Sequence, residues 1–90
     1  MDQHWQERTH ILVGDQGLEK LQKATVAVIG LGGVGAYAAE MLCRAGVGRL
    51  ILLDSDSVSV TNKNRQLIAM DSTVGKLKTD VLAARLKDIN

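Results

Sequence analysis

The feature that most constrains the fold is a glycine-rich segment, GLGGVG, which stands between an apolar run and an alanine-rich run. Its glycines Gly30, Gly32 and Gly35 have the spacing of a phosphate-binding turn between a strand and a helix. The first glycine permits a tight turn, the second lets the backbone approach a phosphate, and the third allows close helix–strand packing. The pattern predicts a nucleotide site at the N-terminus of the following helix, where backbone N–H groups face an anion.

The runs around this segment predict a parallel sheet covered by helices. TVAVIG and RLILLDSD are short and nearly all apolar, which is typical of strands buried on both faces. VGAYAAEMLCRAGVG lies between them and predicts a helix that ends at Gly46, and STVGKLKTDVLAARLKDIN predicts a later helix. The order β-α-β-α indicates a Rossmann-like α/β fold, a doubly wound parallel sheet with right-handed crossovers.

The 90 residues are expected to form only the N-terminal part of such a domain. A nucleotide-binding half of this fold needs a third strand after the last helix, and two parallel strands are too few for a stable sheet. We therefore expect residues 1–90 to be either a piece of a longer protein or a chain whose sheet a partner completes. Short helices are predicted before the first strand, one of them GDQGLEKLQKA with Asp15 as its cap.

Charge and cysteine content point to no special environment. The net charge is +1 and the chain has no basic stripe of the kind that nucleic-acid-binding domains carry. A single cysteine rules out an internal disulfide and fits a reducing compartment. The N-terminus is too polar for a signal peptide and no apolar run is long enough to span a bilayer. We expect a cytoplasmic protein without a membrane partner.

The residues that follow the second strand bear on which nucleotide is bound. Asp54 lies 19 residues after Gly35, where a carboxylate can accept hydrogen bonds from ribose hydroxyls. ATP needs more cations and side-chain amides around its phosphates than a dinucleotide needs. Side chains of these kinds follow in the sequence: Asn62, Arg65, Gln66 and Lys78.

The pattern alone leaves several alternatives open. The same glycines and Asp54 would suit an NAD-binding oxidoreductase, which has no use for the polar set after the second strand. That set could also be solvated surface, and the domain could be a non-catalytic dimerisation module. Cys43 is expected to be a small buried hydrophobic residue. His4 and His10 lack partners at ligand spacing, so no metal site is predicted.

Several motifs together resemble the ThiF/MoeB/HesA superfamily of ATP-dependent adenylating proteins, which are similar to ubiquitin-activating enzymes. They are GLGGVG, AGVGRLILLDSDSVSVTNKNRQ, STVGKLKTDVLAARLKDIN and the N-terminal ERTHILVGDQGLEKLQKATVAVIG. The resemblance covers residues 7–90, and the VTNKNRQ segment looks closest to the tRNA threonylcarbamoyladenosine dehydratases.

This resemblance implies a domain that binds Mg·ATP and transfers AMP to a carboxylate. In the dehydratase branch the carboxylate belongs to threonylcarbamoyladenosine in tRNA, and loss of AMP closes a ring, which is a net dehydration. The alternative within the superfamily is adenylation of the C-terminus of a ubiquitin-like sulfur-carrier protein. The family's metal-associated aspartate and its acceptor-substrate region would lie after Asn90.

The resemblance also implies roles for individual residues. Arg65 and Lys78 would be catalytic, and Arg8 would reach the nucleotide of a partner subunit, which implies a homodimer. Nucleotide contacts carried over by position are Gly30, Gly32, Gly33, Gly35, Asp54, Asp56, Asn62, Arg65, Gln66, Lys78 and Arg8.

Overall fold

The computed structural model describes residues 4–90, which form an α/β arrangement of two strands and three α-helices. The elements are α1 (Glu7–Lys23), β1 (Thr25–Ile29), α2 (Gly33–Ala45), β2 (Arg49–Leu53) and α3 (Lys78–Lys87), with 3-10 turns at His4–Gln6 and Val60–Asn64. The predicted order β-α-β-α and the preceding helical segment are confirmed.

The two strands pair in parallel, as predicted. Thr25 lies opposite Arg49, and the register continues without interruption to Ile29 opposite Leu53. Parallel pairing brings the carboxyl ends of both strands to one edge, so the glycine-rich segment after β1 and the acidic segment after β2 lie side by side.

The core lies between one face of the sheet and the helices α2 and α3. Residues at alternate strand positions, such as Val28 and Leu52, point into it because side chains alternate across a strand. The opposite face carries Ile29, Ile51 and Leu53, which are 79%, 39% and 48% exposed. The prediction of strands buried on both faces is therefore wrong for residues 4–90, since no element among them covers the second face.

The N-terminal helix is bent at a glycine. Gly14 has a non-helical backbone (φ 70°, ψ −178°) inside α1, so the predicted short helix follows the bend. Asp15, expected to cap that helix, instead places a carboxylate oxygen 2.7 Å from Nε2 of His10. The two side chains therefore link the helical segments on either side of the bend.

The last helix begins later than the sequence predicts. Ser72 to Leu77 form turns rather than a helix, and α3 starts at Lys78. Thr73 is buried, and its hydroxyl donates to the carbonyl of Ile68 at 2.6 Å. An antiparallel bridge pairs Ser57 with Leu77, and this tertiary pairing overrides helix propensity in the segment.

A buried carboxylate joins the two core helices. Glu40 of α2 is 6% exposed and forms ion pairs with Arg85 of α3 and Arg44 of its own helix. Hydrogen bonding from Arg85 is the main reason that the pKa of Glu40 lies below its usual value. Cys43, also on α2, is buried as predicted, and burial raises the pKa of its thiol.

A second carboxylate holds together the carboxyl edge of the sheet. Asp54 follows β2 and accepts hydrogen bonds from the backbone N–H groups of Leu31 (2.7 Å) and Asp56 (2.8 Å). These two bonds, that from Leu31 first, lower the pKa of Asp54. The ionised side chain thereby fixes the glycine-rich segment to the end of β2.

No helix within residues 4–90 is long and apolar enough to cross a membrane.

The close helix–strand contact at Gly35 gives a stability prediction. A Cβ atom at Gly35 would overlap the carbonyl oxygen of Gly30, which is backbone and cannot move aside, whereas one at Gly32 would meet only the end of the Gln66 side chain, at 2.9 Å. Gly35→Ala should therefore lower the free energy of unfolding by about 2–4 kcal/mol, and Gly32→Ala by much less. Thermal unfolding followed by circular dichroism measures both; equal losses would contradict the steric argument.

The hydrogen bonds to Asp54 give a pH prediction. They favour the ionised form, so the stabilisation is complete above the unfolded-state pKa, about 3.9, and is lost as pH falls through the lowered folded-state pKa. In Asp54→Asn this titration is absent. The free energy of unfolding should therefore fall less steeply with acid below about pH 4 than it does in the parent protein. Urea unfolding at a series of pH values tests this, and identical slopes for the two proteins would refute it.

Candidate functional site

The glycine-rich turn lies at the carboxyl edge of the sheet because glycines allow its backbone path. Gly30 has a φ of 84°, which disfavours other residues, and its N–H donates to the carbonyl of Leu53 at 2.8 Å. Gly35 lies so close to the carbonyl of Gly30 that no side chain fits there. Because of these contacts, α2 begins directly beside the end of β2.

The backbone N–H groups of this turn divide into two sets. The N–H of Leu31 donates to Asp54 and that of Gly35 donates to the carbonyl of Gly32 at 2.9 Å. Within residues 4–90, the N–H groups of Gly32 and Gly33 have no hydrogen-bond partner. They stand at the positive end of α2, where an anion is favoured.

Asp54 lies beside this turn, where the sequence predicts a ribose-binding carboxylate. Each of its oxygens already accepts one backbone hydrogen bond, and each retains capacity for another. Its contact with a ribose stays a prediction. Asp54 has a second role, because it accepts a hydrogen bond from the backbone N–H of Leu31. A backbone donor gives no signal in the sequence pattern, so the sequence does not predict this bond.

Lys78 is the buried cation of the site. It is the first residue of α3, is 6% exposed, and its backbone N–H donates to the carbonyl of Asp56 at 3.0 Å. Its positive charge also contributes to the lowered pKa of Asp54, though less than the two backbone hydrogen bonds do. Within residues 4–90, the Lys78 ammonium forms no ion pair or hydrogen bond. The side chain is covered by its neighbours while the ammonium nitrogen reaches solvent, so the charge is available to an anion.

Gln66 reaches the glycine-rich turn from the loop after β2. Its Nε2 lies 2.9 Å from the position that a Cβ on Gly32 would take, so the amide covers this part of the turn. The Oε1 atom is buried and has no hydrogen-bond partner within residues 4–90. Buried polar atoms are rarely left unpaired, and an unpaired one indicates a site that is completed by something else.

Asn62 and Arg65 are fixed by their own turn. Asn62 is buried, and its Oδ1 accepts the N–H of Ser59 at 2.9 Å in a reciprocal capping arrangement. Arg65 is exposed; one of its terminal nitrogens donates to the carbonyl of Thr61 (3.1 Å) and to the side chain of Asn64 (2.9 Å). The rest of the planar guanidinium remains available for a phosphate.

Two predicted residues stand apart from this group. Asp56 contributes its backbone, which bonds to Asp54 and Lys78, while no contact of its carboxylate is recorded within residues 4–90. Arg8 is exposed on α1, and the structure records no contact between it and the other predicted site residues.

Thr73 is a supporting residue that the sequence pattern did not single out. Its hydroxyl accepts the N–H of Met70 at 2.9 Å and donates to the carbonyl of Ile68, which shapes the loop leading to α3. The Asp-Ser-Thr triplet before Val74 is a turn signal that could have indicated it.

The arrangement as a whole is suited to a polyphosphate. Unpaired N–H groups at a helix N-terminus lie beside the Gln66 amide and beside Asp54, a carboxylate suited to sugar hydroxyls. Arg65 and Lys78 lie in the segments that follow β2. Groups of these kinds stabilise negative charge on phosphoryl oxygens.

Comparison with known proteins is consistent with this geometry. The chain is 54% identical over 87 residues to tRNA threonylcarbamoyladenosine dehydratase of Bacillus subtilis, and 44% identical over 89 residues to that of Escherichia coli K12. These matches cover 97% and 96% of this chain but 34% and 33% of the relatives, so the chain spans about a third of their length.

Solved structures give the same result for the fold. The structure of the E. coli tRNA N6-threonylcarbamoyladenosine dehydratase TcdA in complex with ATP matches with a TM-score of 0.94 and 42% identity, over 98% of this chain and 36% of that one. E. coli MccB with ATP matches with a TM-score of 0.88 and 30% identity, over 100% of this chain and 28% of that one. The ThiF family model matches residues 6–90. The chain belongs to the ThiF family, and its two strands and their helices are part of that family's Rossmann-like fold.

Proposed function

We propose that residues 1–90 form the N-terminal part of a ThiF-type nucleotide-binding domain, in a protein that adenylates a carboxylate with ATP. The observation that carries this proposal is Lys78, a cation without an anionic partner within residues 4–90, whose backbone N–H donates to the carbonyl of Asp56 just after Asp54. Relatives that are structurally similar over the whole chain were solved with ATP.

The charges of the site favour a triphosphate over a dinucleotide. A bridging pyrophosphate carries two negative charges, which the unpaired N–H groups of Gly32 and Gly33 go far towards meeting. ATP carries about four, and when a carboxylate attacks its α-phosphate the departing pyrophosphate must also be held. Lys78 supplies a fixed charge and Arg65 a planar pair of donors for this purpose.

Each residue then has a defined part in the reaction. Asp54 accepts hydrogen bonds from the ribose, and the turn at Gly32 orients the phosphates. Arg65 and Lys78 stabilise the charge that develops as the bond between the α- and β-phosphates breaks, and Gln66 and Asn62 contribute side-chain amides. Mg²⁺ bound with ATP would neutralise phosphate charge, and we propose that its protein ligand lies in the part of the relatives' length that this chain does not span.

We infer that the acceptor is the threonylcarbamoyl carboxylate of a modified adenosine in tRNA. The support is that the dehydratases of B. subtilis and Haemophilus influenzae are 54% and 53% identical to this chain, compared with 46–49% over 72 residues for ubiquitin-like modifier-activating enzyme 5 of plants and Bombyx mori. The acyl-adenylate would form with loss of pyrophosphate and close to a ring with loss of AMP. We propose a cytoplasmic location, which a tRNA substrate would support.

A protein or peptide carboxylate is the second candidate acceptor. The chain is 48% identical over 75 residues to molybdopterin-synthase adenylyltransferase of Salmonella typhimurium, and MccB was solved together with N-formylated MccA. Incubation with ATP and either tRNA that carries threonylcarbamoyladenosine or a ubiquitin-like carrier protein discriminates between the two, because only the true acceptor stimulates release of pyrophosphate.

We also propose a homodimer in which Arg8 serves the site of the partner subunit. Arg8 is exposed and far in sequence from the turn, and the next turn of α1 presents Ile11 and Leu12, which are 76% and 85% exposed. Large exposed apolar side chains on one helix indicate a surface that another chain covers.

The proposed ATP site is tested by removing Arg65. Arg65→Ala should weaken Mg·ATP binding at least about tenfold, the free energy of one charge-assisted phosphate contact. Lys63→Ala is the matched control, because Lys63 lies in the 3-10 turn that ends just before Arg65 but is paired with Asp71. Isothermal titration with Mg·ATP and with NAD⁺ measures both. Tighter binding of NAD⁺ that is indifferent to Arg65→Ala would overturn the proposal in favour of an oxidoreductase.

The partner role of Arg8 predicts complementation between two defective variants. Arg8→Ala and Arg65→Ala should each lack high-affinity ATP sites, whereas an equal mixture with exchanged subunits should recover about a quarter of the parental number. The reason is that half of the dimers are mixed and each mixed dimer holds one intact site. No recovery despite exchange, or a monomer in sedimentation, would contradict the role.

A further inference from the structure

Glu40 is a buried charged residue that the adenylation chemistry does not use. Its side chain is 8% exposed, and its two carboxylate oxygens have different partners. Oε1 accepts from Nε of Arg85 on α3, and Oε2 accepts from Nε of Arg44 on α2 at 3.3 Å. One bond therefore crosses between the helices, while the other stays within α2.

The crossing pair lies at the same height in both helices. Glu40 is seven residues after Gly33, the first residue of α2, and Arg85 is seven residues after Lys78, the first residue of α3. Seven residues are close to two full turns, about 10.5 Å along each axis. Along the helix axes, the pair therefore lies about equally far from the first residues of α2 and α3. Because they are seven residues apart, Lys78 and Arg85 lie on one face of α3.

The other contacts between these helices are weaker constraints on sliding. Ala36 and Ala39 of α2 and Leu82 and Leu86 of α3 are buried in one apolar cluster. Apolar contacts are non-directional and tolerate a small axial shift. Two further polar links join these segments: the Cys43 thiol donates to the carbonyl of Leu86 at 3.5 Å, and the Asn90 amide, just after α3, donates to the carbonyl of Cys43 at 3.4 Å. A thiol is a weak donor, and both distances are long.

We propose that Glu40 and Arg85 are positioning residues that set the axial register of α3 against α2, and so hold Lys78, whose backbone N–H donates to the carbonyl of Asp56, at the carboxyl edge of the sheet. The carboxylate links the two helices because its Oε1 accepts from Arg85 of α3 while Glu40 itself belongs to α2. This inference rests on the proposed ATP site, since Lys78 acts there on the phosphates. The ion pair between the two helices would then serve nucleotide binding as well as stability.

The test compares removal of the crossing bond with removal of the bond inside α2. Arg85→Met should weaken Mg·ATP binding by roughly tenfold, while leaving the affinity for adenosine, which has no phosphates, unchanged. Glu40→Gln should act in the same direction. Arg44→Met is the matched control, because it removes a cation from the same carboxylate without touching the link to α3, and it should bind Mg·ATP like the parent protein.

A double-mutant cycle separates positioning from general destabilisation. If Arg85 acts through Lys78, then Arg85→Met combined with Lys78→Met should bind Mg·ATP within about twofold of Lys78→Met alone. If the two substitutions acted independently, their fold-losses in Mg·ATP affinity would instead multiply. Circular dichroism establishes whether each variant is folded. If Arg85→Met does not fold, Arg85→Lys replaces it, since lysine keeps the positive charge but lacks the planar guanidinium donors.

The outcomes distinguish this inference from the proposed function. A parent protein that binds no Mg·ATP overturns the ATP site itself. A parent protein that binds Mg·ATP, with Arg85→Met indistinguishable from Arg44→Met, overturns the positioning role alone. Equal losses for ATP and adenosine, or multiplying losses in the cycle, also overturn it.

Discussion

The contact between Gly35 and the carbonyl of Gly30 is the constraint on which the site depends. It allows α2 to begin directly against the end of β1, because no side chain stands between helix and strand. The start of α2 is then near enough to β2 for Asp54 to accept the N–H of Leu31. A residue with a Cβ at position 35 would separate these elements, and the turn, the helix N-terminus and the carboxylate would no longer be neighbours.

The site also contains polar groups that a ligand could pair. Oε1 of Gln66 is buried without a donor, and the Lys78 ammonium, which reaches solvent, has no anionic partner among residues 4–90. Buried polar atoms are normally paired because the interior solvates them poorly. Elsewhere in the same core the carboxylate of Glu40 has two arginine partners. This contrast supports the proposal that the unpaired groups serve binding, while the paired ones serve the packing of α2 against α3.

Much of the secondary structure could be predicted from the sequence, because its signals are local. The glycine spacing, the two apolar runs and Gly46 at the end of α2 correspond to features found in the structure. The errors concern residues whose surroundings are set by distant parts of the chain. The start of α3 was placed too early because the bridge between Ser57 and Leu77 joins segments 20 residues apart. The exposure of Ile29 was missed because apolar strands alone do not reveal how many layers cover them.

The sequence by itself determined the family, the element order and the residue types that we propose for a nucleotide site. Those properties depend on short-range chemistry: glycine conformations, helix propensity and the reach of charged side chains. Only the tertiary structure decided that Asp54 holds the glycine-rich turn, that the backbone of Lys78 is bonded to Asp56, and that Glu40 connects to Arg85. Each of these depends on residues more than 20 positions apart, and the packing of β2, α2 and α3 brings them together.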